Sequence, residues 1–360
     1  MSKKTALQVI ARISRLFDYS EIHIEISSRC ILKCPRCPRT ELSTELKDVL
    51  NQDYSLAEFC TIFPPEILKD IKSILFCGDK GDPIYARNFL GIVEYIKEHN
   101  PTLAINITTN GSYKSEDWWT NLGQALSPRD RITFSIDGWD HESNNMYRVN
   151  SEWSSIIKGL QTLSKIENAD RPIIHWSTIL FRFNQEMINT MKEIAKGTHE
   201  NYPGIKVDRF QLVKSTKIGS IDQNYLDENG IDNLEPISIN NAAPLKVYHR
   251  EHEQYGRTQV GENYVRTAGS YQYAKGKPWQ ACLRKEQIPF IDVDGSFYPC
   301  AWFNSGYIPN EFVEKYKDDI NIRKHGLHKV INNPCWEELN TRWLLAPLEI
   351  CKLKCFKDAK

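Results

Sequence analysis

The sequence has no excess of charge of either sign and no long apolar run. Its 360 residues include 46 Lys and Arg and 46 Asp and Glu, so the formal net charge is zero. This balance argues against a protein that holds nucleic acid mainly by bulk electrostatic attraction, although a local basic groove stays compatible with it. No segment approaches the roughly 20 apolar residues that cross a bilayer, so no membrane partner is expected. The chain also lacks internal repeats and low-complexity tracts, which excludes a repeat architecture.

The first residues lack the apolar core and the small-residue cleavage site of a secretory signal. Apolar residues recur there at helical spacing, which predicts an amphipathic helix over residues 1–20: Leu7, Ile10, Ile13, Leu16 and Phe17. We therefore expect a cytoplasmic protein, in which thiols stay reduced and disulfides are disfavoured.

Cysteine, in contrast, is plentiful, with ten residues. In a reducing compartment ten cysteines indicate metal or redox chemistry. Cys60 and Cys77 are isolated in apolar surroundings and are expected to be buried apolar residues. The others form one group near each end of the chain, which predicts two metal sites: Cys30, Cys34 and Cys37, then Cys282, Cys300, Cys335, Cys351 and Cys355.

Strand-like and helix-like segments alternate between residues 21 and 214. Six segments predict strands: EIHIEIS, SILFCG, LAINITTNG, RITFSIDG, PIIHWSTILF and IKVDRFQLV. Helical segments separate them, and Ser55 and Glu58 have the spacing of a capping box at the start of one helix. Regular β–α alternation predicts an α/β fold, a parallel sheet with helices outside. Periodicity leaves open whether the sheet is doubly wound or an incomplete barrel, but in both cases ligands bind beyond the carboxyl ends of the strands.

The alternation stops after residue 214. Residues 215–280 are polar and weakly periodic, which predicts a linker with irregular structure. A small α+β unit is expected over residues 281–360. Its segment IPFIDVDGSFYPC reads as two short strands around an Asp-Gly turn, and NNPCWEELNTRWLLA as a helix with Asn333 as N-cap.

The first cysteine group has the spacing C-x3-C-x2-C and follows the first strand directly. Structural zinc prefers four protein ligands in two pairs, and no nearby residue supplies a fourth, although Cys60 or Cys77 from farther along the chain stays open. A 4Fe–4S cluster with three thiolate ligands fits better, because its fourth iron is then free to bind an outside ligand.

This motif after the first strand of a β/α series resembles the signature of the radical S-adenosylmethionine (radical SAM) superfamily. The resemblance covers about residues 20–215 and implies a partial (β/α)6 TIM-like barrel. It implies that a 4Fe–4S cluster on Cys30, Cys34 and Cys37 binds SAM and cleaves it to a 5′-deoxyadenosyl radical. It also implies an electron donor resembling flavodoxin or ferredoxin.

The resemblance extends to the rim that binds SAM. Gly81-Asp82-Pro83 resembles a Gly-Gly-Glu-Pro motif that accepts hydrogen bonds from the methionine ammonium group, with Asp82 in place of Glu. Thr109 and Asn110 end the third strand and are expected to face the same cavity.

Further residues are assigned to SAM by the same resemblance. Ser135 and Asp137 resemble the polar pair after the fourth strand that contacts ribose and methionine. Arg148 resembles the arginine that pairs with the SAM carboxylate. Arg36 departs from the family, which places an apolar partner of adenine there; a guanidinium can stack on adenine, while solvent or an anionic substrate are the alternatives.

The C-terminal cysteines resemble the SPASM and twitch extensions of radical SAM enzymes. Cys282 is followed after twelve residues by Gly295 and after four more by Cys300. The cysteine count fits the single auxiliary 4Fe–4S cluster of a twitch domain, with Cys282, Cys300, Cys351 and Cys355 as expected ligands. Cys335 is expected to be structural or to replace one of them, and zinc remains the alternative metal.

The resemblance does not determine the substrate. Small molecules, nucleotides and peptides all occur in the family, and Arg182 and Lys214 would suit an anionic substrate. An enzyme that matures ribosomally made peptides is the alternative within the superfamily. A non-catalytic iron–sulfur carrier and a zinc-stabilised nucleic-acid-binding module are the alternatives from other classes.

Overall fold

A computed structural model describes residues 20–41, 50–213, 232–235, 288–303, 310–345 and 348–351. Within them the strands are β1 (Glu21–Ile24), β2 (Ser73–Phe76), β3 (Ala104–Thr109), β4 (Arg131–Ser135), β5 (Ile173–Ile179), β6 (Arg209–Val213), β7 (Phe290–Ile291) and β8 (Phe297–Tyr298). The helices are α1 (Pro38–Glu41), α2 (Leu56–Ile62), α3 (Pro65–Leu68), α4 (Phe89–His99), α5 (Glu116–Ala125), α6 (His141–Asn145), α7 (Trp153–Ser164), α8 (Ile188–Lys196), α9 (Glu311–Tyr316), α10 (Ile322–His325), α11 (Leu327–Ile331) and α12 (Cys335–Leu345).

The six predicted strands form one sheet in the order β6-β5-β4-β3-β2-β1, with every neighbouring pair parallel. The predicted α/β class with a parallel sheet is confirmed. Because consecutive strands lie side by side, each crossover moves the chain in the same direction, and the carboxyl ends of all six strands meet at one rim.

The predicted hairpin around the Asp-Gly turn is present as β7 and β8. It lies beside β1 in the same sheet, with β7 parallel to β1 and β8 antiparallel to β7. Gly295 has φ +92°, and a side chain there would approach Asn321 Oδ1 within 2.8 Å. The turn therefore requires glycine for both backbone conformation and space.

The two faces of the sheet differ in burial. Buried and half-buried residues alternate along β1 to β5, and in β6 Phe210 is the one buried residue. The buried face consists of apolar residues that belong to the same core cluster as helix residues, including Ile22, Ile74, Ile105, Ile132, Ile174 and Phe210. The half-buried face is mostly polar and includes His23, Asn106, Thr133, His175 and Gln211. Helices therefore cover one face, and the other face keeps a polar, partly accessible surface.

The predicted helix starts are confirmed. Ser55 accepts a hydrogen bond from the Glu58 amide, and Glu58 accepts one from the Ser55 amide, which completes the capping box of α2. Asn333 Oδ1 accepts a hydrogen bond from the Cys335 amide at 2.9 Å, as expected of an N-cap for α12. The N-terminal helix and most of the linker lie outside the described residues. Within those residues, every helix is too short or too polar to cross a membrane.

Candidate active site at the carboxyl ends of the strands

The first cysteine group forms the loop that leaves β1. Cys34 is buried, and Cys30 and Cys37 are partly buried. All three pack in one small cluster with Leu32 of the same loop and with apolar side chains from distant parts of the chain: Tyr147, Phe181 and Leu234. The Cys37 amide donates to the Cys34 carbonyl oxygen at 3.3 Å, which closes a tight turn between these two thiols. The fold thus brings the three thiols together at the rim.

The electrostatics of this loop favour a bound cation. Burial raises the pKa of the Cys30 thiol well above its usual range, and the Asp82 carboxylate and the neighbouring Cys34 thiol raise it further. Buried thiolates next to one another need a positive partner, which iron supplies. Within the described residues, no three Cys, His, Asp or Glu side chains converge closely enough to hold a single metal ion. A multi-iron cluster requires no such convergence, because each thiolate binds a different iron.

Gly81 and Asp82 lie directly against the cysteine loop. The Asp82 amide donates to the Arg29 carbonyl oxygen at 2.9 Å. A side chain at position 81 would come within 2.1 Å of the Ser27 carbonyl oxygen. Glycine is therefore required at position 81 because the two loops touch through their backbones.

The Asp82 carboxylate points into a network of hydrogen bonds with Asn110. Asp82 Oδ2 accepts from both the amide and the side-chain Nδ2 of Asn110, each at 2.6 Å. The same Nδ2 lies 3.8 Å from Cys30 Sγ, and Asn110 Oδ1 accepts from the Tyr85 hydroxyl at 3.2 Å. Burial raises the pKa of Asp82 to about 6, and its hydrogen bonds offset only part of that effect. Asn110 thus connects the cysteine loop to the predicted methionine-binding carboxylate.

Asp137 and Arg148 form an ion pair at the end of β4. Arg148 Nε donates to Asp137 Oδ2 at 2.6 Å, and the Ile179 amide donates to Asp137 Oδ1 at 2.6 Å. Asp137 is fully buried. Burial by itself would lower the pKa of Arg148, but the charges of Asp137 and Cys34 raise it above its usual range. The pair positions one guanidinium beside the cysteine loop.

Arg36 is held inside the protein. It has φ +58°, its Nη1 donates to the Leu234 carbonyl oxygen at 2.7 Å, and its Nη2 forms an ion pair with Asp232. Only 8% of its side chain is exposed. The described contacts of Arg36 are therefore with residues 232–235, and its predicted contact with adenine stays a prediction.

The other predicted site residues are distributed around this rim. Thr109 is buried, and its hydroxyl accepts from the Gly111 amide at 3.0 Å. Ser135 is half-buried at the end of β4. Arg182 follows β5, and its backbone amide donates a hydrogen bond to the Glu235 carbonyl oxygen at 3.0 Å. Lys214 lies outside the described residues.

The C-terminal cysteines are only partly described, since Cys282 and Cys355 lie outside the described residues. Cys300 follows β8, and Cys351 lies in the helical segment of residues 349–351. Both are partly buried and pack against the main core, where Cys335 is buried. Their ligand roles stay predictions.

The sequence analysis did not predict a buried cluster of charged side chains that lies beside the cysteine loop. Glu25 Oε1 accepts from the backbone amides of Lys80 and Gly81, at 2.5 and 2.9 Å. Lys80 Nζ lies 2.5 Å from Asp292 Oδ2 and 3.6 Å from Glu25 Oε2. One ammonium therefore links β1 and the loop after β2 to the β7–β8 hairpin. The only sequence signal is Glu25 itself, a charged residue in an apolar strand pattern.

Comparisons with known proteins identify relatives by sequence and by fold. No protein-family model matches the chain. The GTP 3′,8-cyclase of Desulforamulus reducens is 27% identical over 159 residues, which cover 42% of this chain and 46% of that relative. The GTP 3′,8-cyclase of Nitrobacter hamburgensis is 24% identical over 263 residues, which cover 71% of this chain and 66% of that relative. The chain thus spans about half to two thirds of these curated relatives.

Among solved structures, the fold is similar to Streptococcus suis SuiB. SuiB bound to its precursor peptide SuiA has a TM-score of 0.55 at 15% identity, covering 93% of this chain and 69% of that chain. SuiB bound to S-adenosylmethionine has a TM-score of 0.53 at 14% identity, covering 93% and 68%. The sheet thus matches the TIM-like barrel of radical SAM proteins. In sequence the chain is thus similar to GTP 3′,8-cyclases, and in fold to a protein that has been solved with S-adenosylmethionine bound.

Proposed function

We propose that this chain cleaves SAM reductively at the β1 loop and uses the resulting radical to take a hydrogen atom from a substrate inside the barrel. The observation that carries the proposal is the convergence of three thiols with Asp82, Asn110 and the Asp137–Arg148 pair at one rim. A structural thiol site has no need of these additional polar groups.

The proposed roles follow from the contacts. Cys30, Cys34 and Cys37 hold a 4Fe–4S cluster, which when bound supplies the electron that splits SAM into methionine and a 5′-deoxyadenosyl radical. Asp82, positioned by Asn110, accepts hydrogen bonds from the methionine ammonium group. Arg148, oriented by Asp137, faces the methionine carboxylate.

A nucleotide is the substrate class that we favour. Sequence relatives are named for their action on GTP. The half-buried face of the sheet is polar towards the carboxyl ends of the strands, where Thr108, Ser135 and Ser177 lie on it. Hydrogen-bonding side chains suit the ribose and base of a nucleotide. This inner face is the proposed substrate cavity.

A peptide is the second substrate class, because of one specific likeness. SuiB, whose fold covers 93% of this chain, has been solved with a precursor peptide bound. The same polar face would then receive the side chain that is modified.

An auxiliary cluster is the third part of the proposal. Cys282, Cys300, Cys351 and Cys355 would bind a second 4Fe–4S cluster of the twitch or SPASM type. With four thiolates it has no open iron, so its role is electron transfer, such as accepting the electron left on a substrate radical.

The test is anaerobic reconstitution with iron and sulfide, followed by dithionite and SAM. We expect about eight irons per chain for two clusters and formation of 5′-deoxyadenosine. Cys34→Ala should abolish 5′-deoxyadenosine, whereas the matched control Cys60→Ala, on helix α2, should retain it. Intact clusters without any 5′-deoxyadenosine would refute the enzyme assignment in favour of an iron–sulfur carrier.

The auxiliary cluster and the substrate need separate measurements. Cys351→Ala should lower the iron content to about four per chain and spare SAM cleavage. An unchanged iron content would refute its role as a ligand. Adding GTP should accelerate 5′-deoxyadenosine formation if the substrate is a nucleotide, and no acceleration by any nucleoside triphosphate would favour the peptide alternative.

A further inference from the structure

A polar pocket lies outside the proposed SAM and substrate sites. It has a volume of about 350 Å³ and is lined by Arg29, Asn51, Gln52, Asp53, Ser55, Arg87, Asn88 and Arg323. These residues come from the loop that leaves β1, the segment before α2, the start of α4 and helix α10. Every one of them is polar, and three are arginines.

The arginines of this pocket exceed its carboxylates. Asp53 is satisfied, because its Oδ1 accepts from the Ser27 hydroxyl at 2.6 Å and its Oδ2 from Arg29 Nε at 2.7 Å. Arg87 lies 3.8 Å from Asp53, beyond hydrogen-bond distance, and 74% of its side chain is exposed. Its guanidinium therefore has donors available to a ligand.

Arg323 adds a third guanidinium to the pocket. Its guanidinium stacks on the Tyr54 ring, 4.2 Å from the centroid. Its Nε is buried without a hydrogen bond to the described residues, and the nearest carboxylate oxygen, on Glu58, is 3.6 Å away. Counting Glu58 with Asp53, the three arginines leave one positive charge in excess.

The start of helix α4 adds to the positive potential. Asn88 is its N-cap and makes no side-chain capping hydrogen bond, and the first turn of this 11-residue helix contains no acidic residue. The N-terminus of a helix carries roughly half a positive charge and exposed amide donors. The pocket thus combines a helix N-terminus with guanidinium groups that suit bidentate binding of oxyanions.

We propose that this pocket binds a phosphoryl group, either as free diphosphate or as part of a phosphorylated small molecule. The volume accommodates a diphosphate with room for an attached group. This site is independent of the proposed SAM chemistry, because none of its lining residues is assigned a role in cleaving SAM.

The test uses pyrophosphate, titrated into the reconstituted full-length protein by calorimetry. Binding should weaken about tenfold in Arg87→Gln, which corresponds to about 1.4 kcal/mol, because a charge-assisted hydrogen bond is lost. It should weaken less in Arg87→Lys, which keeps the charge without the planar fork. The matched control is Arg129→Gln, which removes the same charge at an exposed position before β4. Formation of 5′-deoxyadenosine should be unchanged in all three variants, which shows that they are folded.

Two arms distinguish the sources of the phosphoryl group. GDP binding that is tighter than pyrophosphate binding and is weakened in Arg87→Gln, while guanosine does not bind, would identify an esterified ligand; equal affinities for GDP and pyrophosphate would identify a free one. No pyrophosphate binding at millimolar concentration, or equal weakening in Arg129→Gln, would overturn the proposal. Neither result bears on SAM cleavage, so this proposal and the proposed function fail separately.

Discussion

Glu25→Gln tests the buried charge cluster of Glu25, Lys80 and Asp292, which links β1 and the loop after β2 to the β7–β8 hairpin. The Glu25 side chain is fully buried. Burial raises the pKa of Glu25 from 4.5 to about 8, the nearby Lys80 ammonium offsets part of that rise, and Asp292 and Asp79 add to it. Glutamine retains an acceptor for the Lys80 and Gly81 amides but does not ionise.

The sign and size of the effect follow from this pKa. Because the native state holds the proton more tightly than the unfolded state, Glu25 lowers the stability progressively as the pH rises from 4.5 towards 8. At pH 6 the pH exceeds the unfolded-state pKa by 1.5 units, which corresponds to a loss of about 2 kcal/mol. Above pH 8 the full difference of 3.5 units between the native and unfolded pKa applies, which corresponds to a loss of stability of about 5 kcal/mol. The wild type should therefore lose about 3 kcal/mol relative to Glu25→Gln between pH 6 and pH 9.

The assay is anaerobic guanidinium unfolding of the reconstituted protein, followed by tryptophan fluorescence at several pH values. The difference in unfolding midpoint between the variant and the wild type is the measured quantity, because the titrations of groups remote from Glu25 cancel. The matched control is Glu66→Gln, the same change at an exposed position on α3. A difference between Glu25→Gln and wild type that stays constant from pH 6 to pH 9 would refute the reasoning.

Three further predictions concern single contacts. Arg171→Met should destabilise the protein by about 3–5 kcal/mol in chemical unfolding. The reason is that Arg171 binds Asp208 through two hydrogen bonds of 2.8 Å and both side chains are fully buried. A loss of stability below about 1 kcal/mol would contradict this prediction. Ser55→Ala should cost about 0.5–2 kcal/mol in the same assay through loss of the cap of α2, and no change would show that the cap is dispensable. Asp137→Asn should weaken SAM binding at least tenfold in equilibrium dialysis, because it leaves the Arg148 guanidinium without its carboxylate; unchanged affinity would remove Arg148 from the proposed site.

The sequence predicted much of the fold because the relevant signals are local. The alternating apolar residues of each strand and the capping box at Ser55 depend on neighbours within a few positions. The six parallel strands and the helix starts were found for that reason. The order of the strands did not follow from local signals, which left a doubly wound sheet and an incomplete barrel open; only the family resemblance implied the sequential order of a barrel. The position of the hairpin did not follow, because pairing β7 with β1 joins residues more than 260 positions apart.

The candidate site likewise combines residues that the sequence predicted from local spacing with contacts that only the tertiary structure shows. The spacing of Cys30, Cys34 and Cys37 by itself predicted a loop that binds an iron–sulfur cluster through three thiolates, because one loop supplies all three ligands. Only the tertiary structure placed Asn110 between Cys30 and Asp82, and only it brought Lys80 to both Glu25 and Asp292. Such contacts depend on which side chains meet after packing, and the desolvation that raises the Glu25 pKa exists only once the surrounding elements have closed over it.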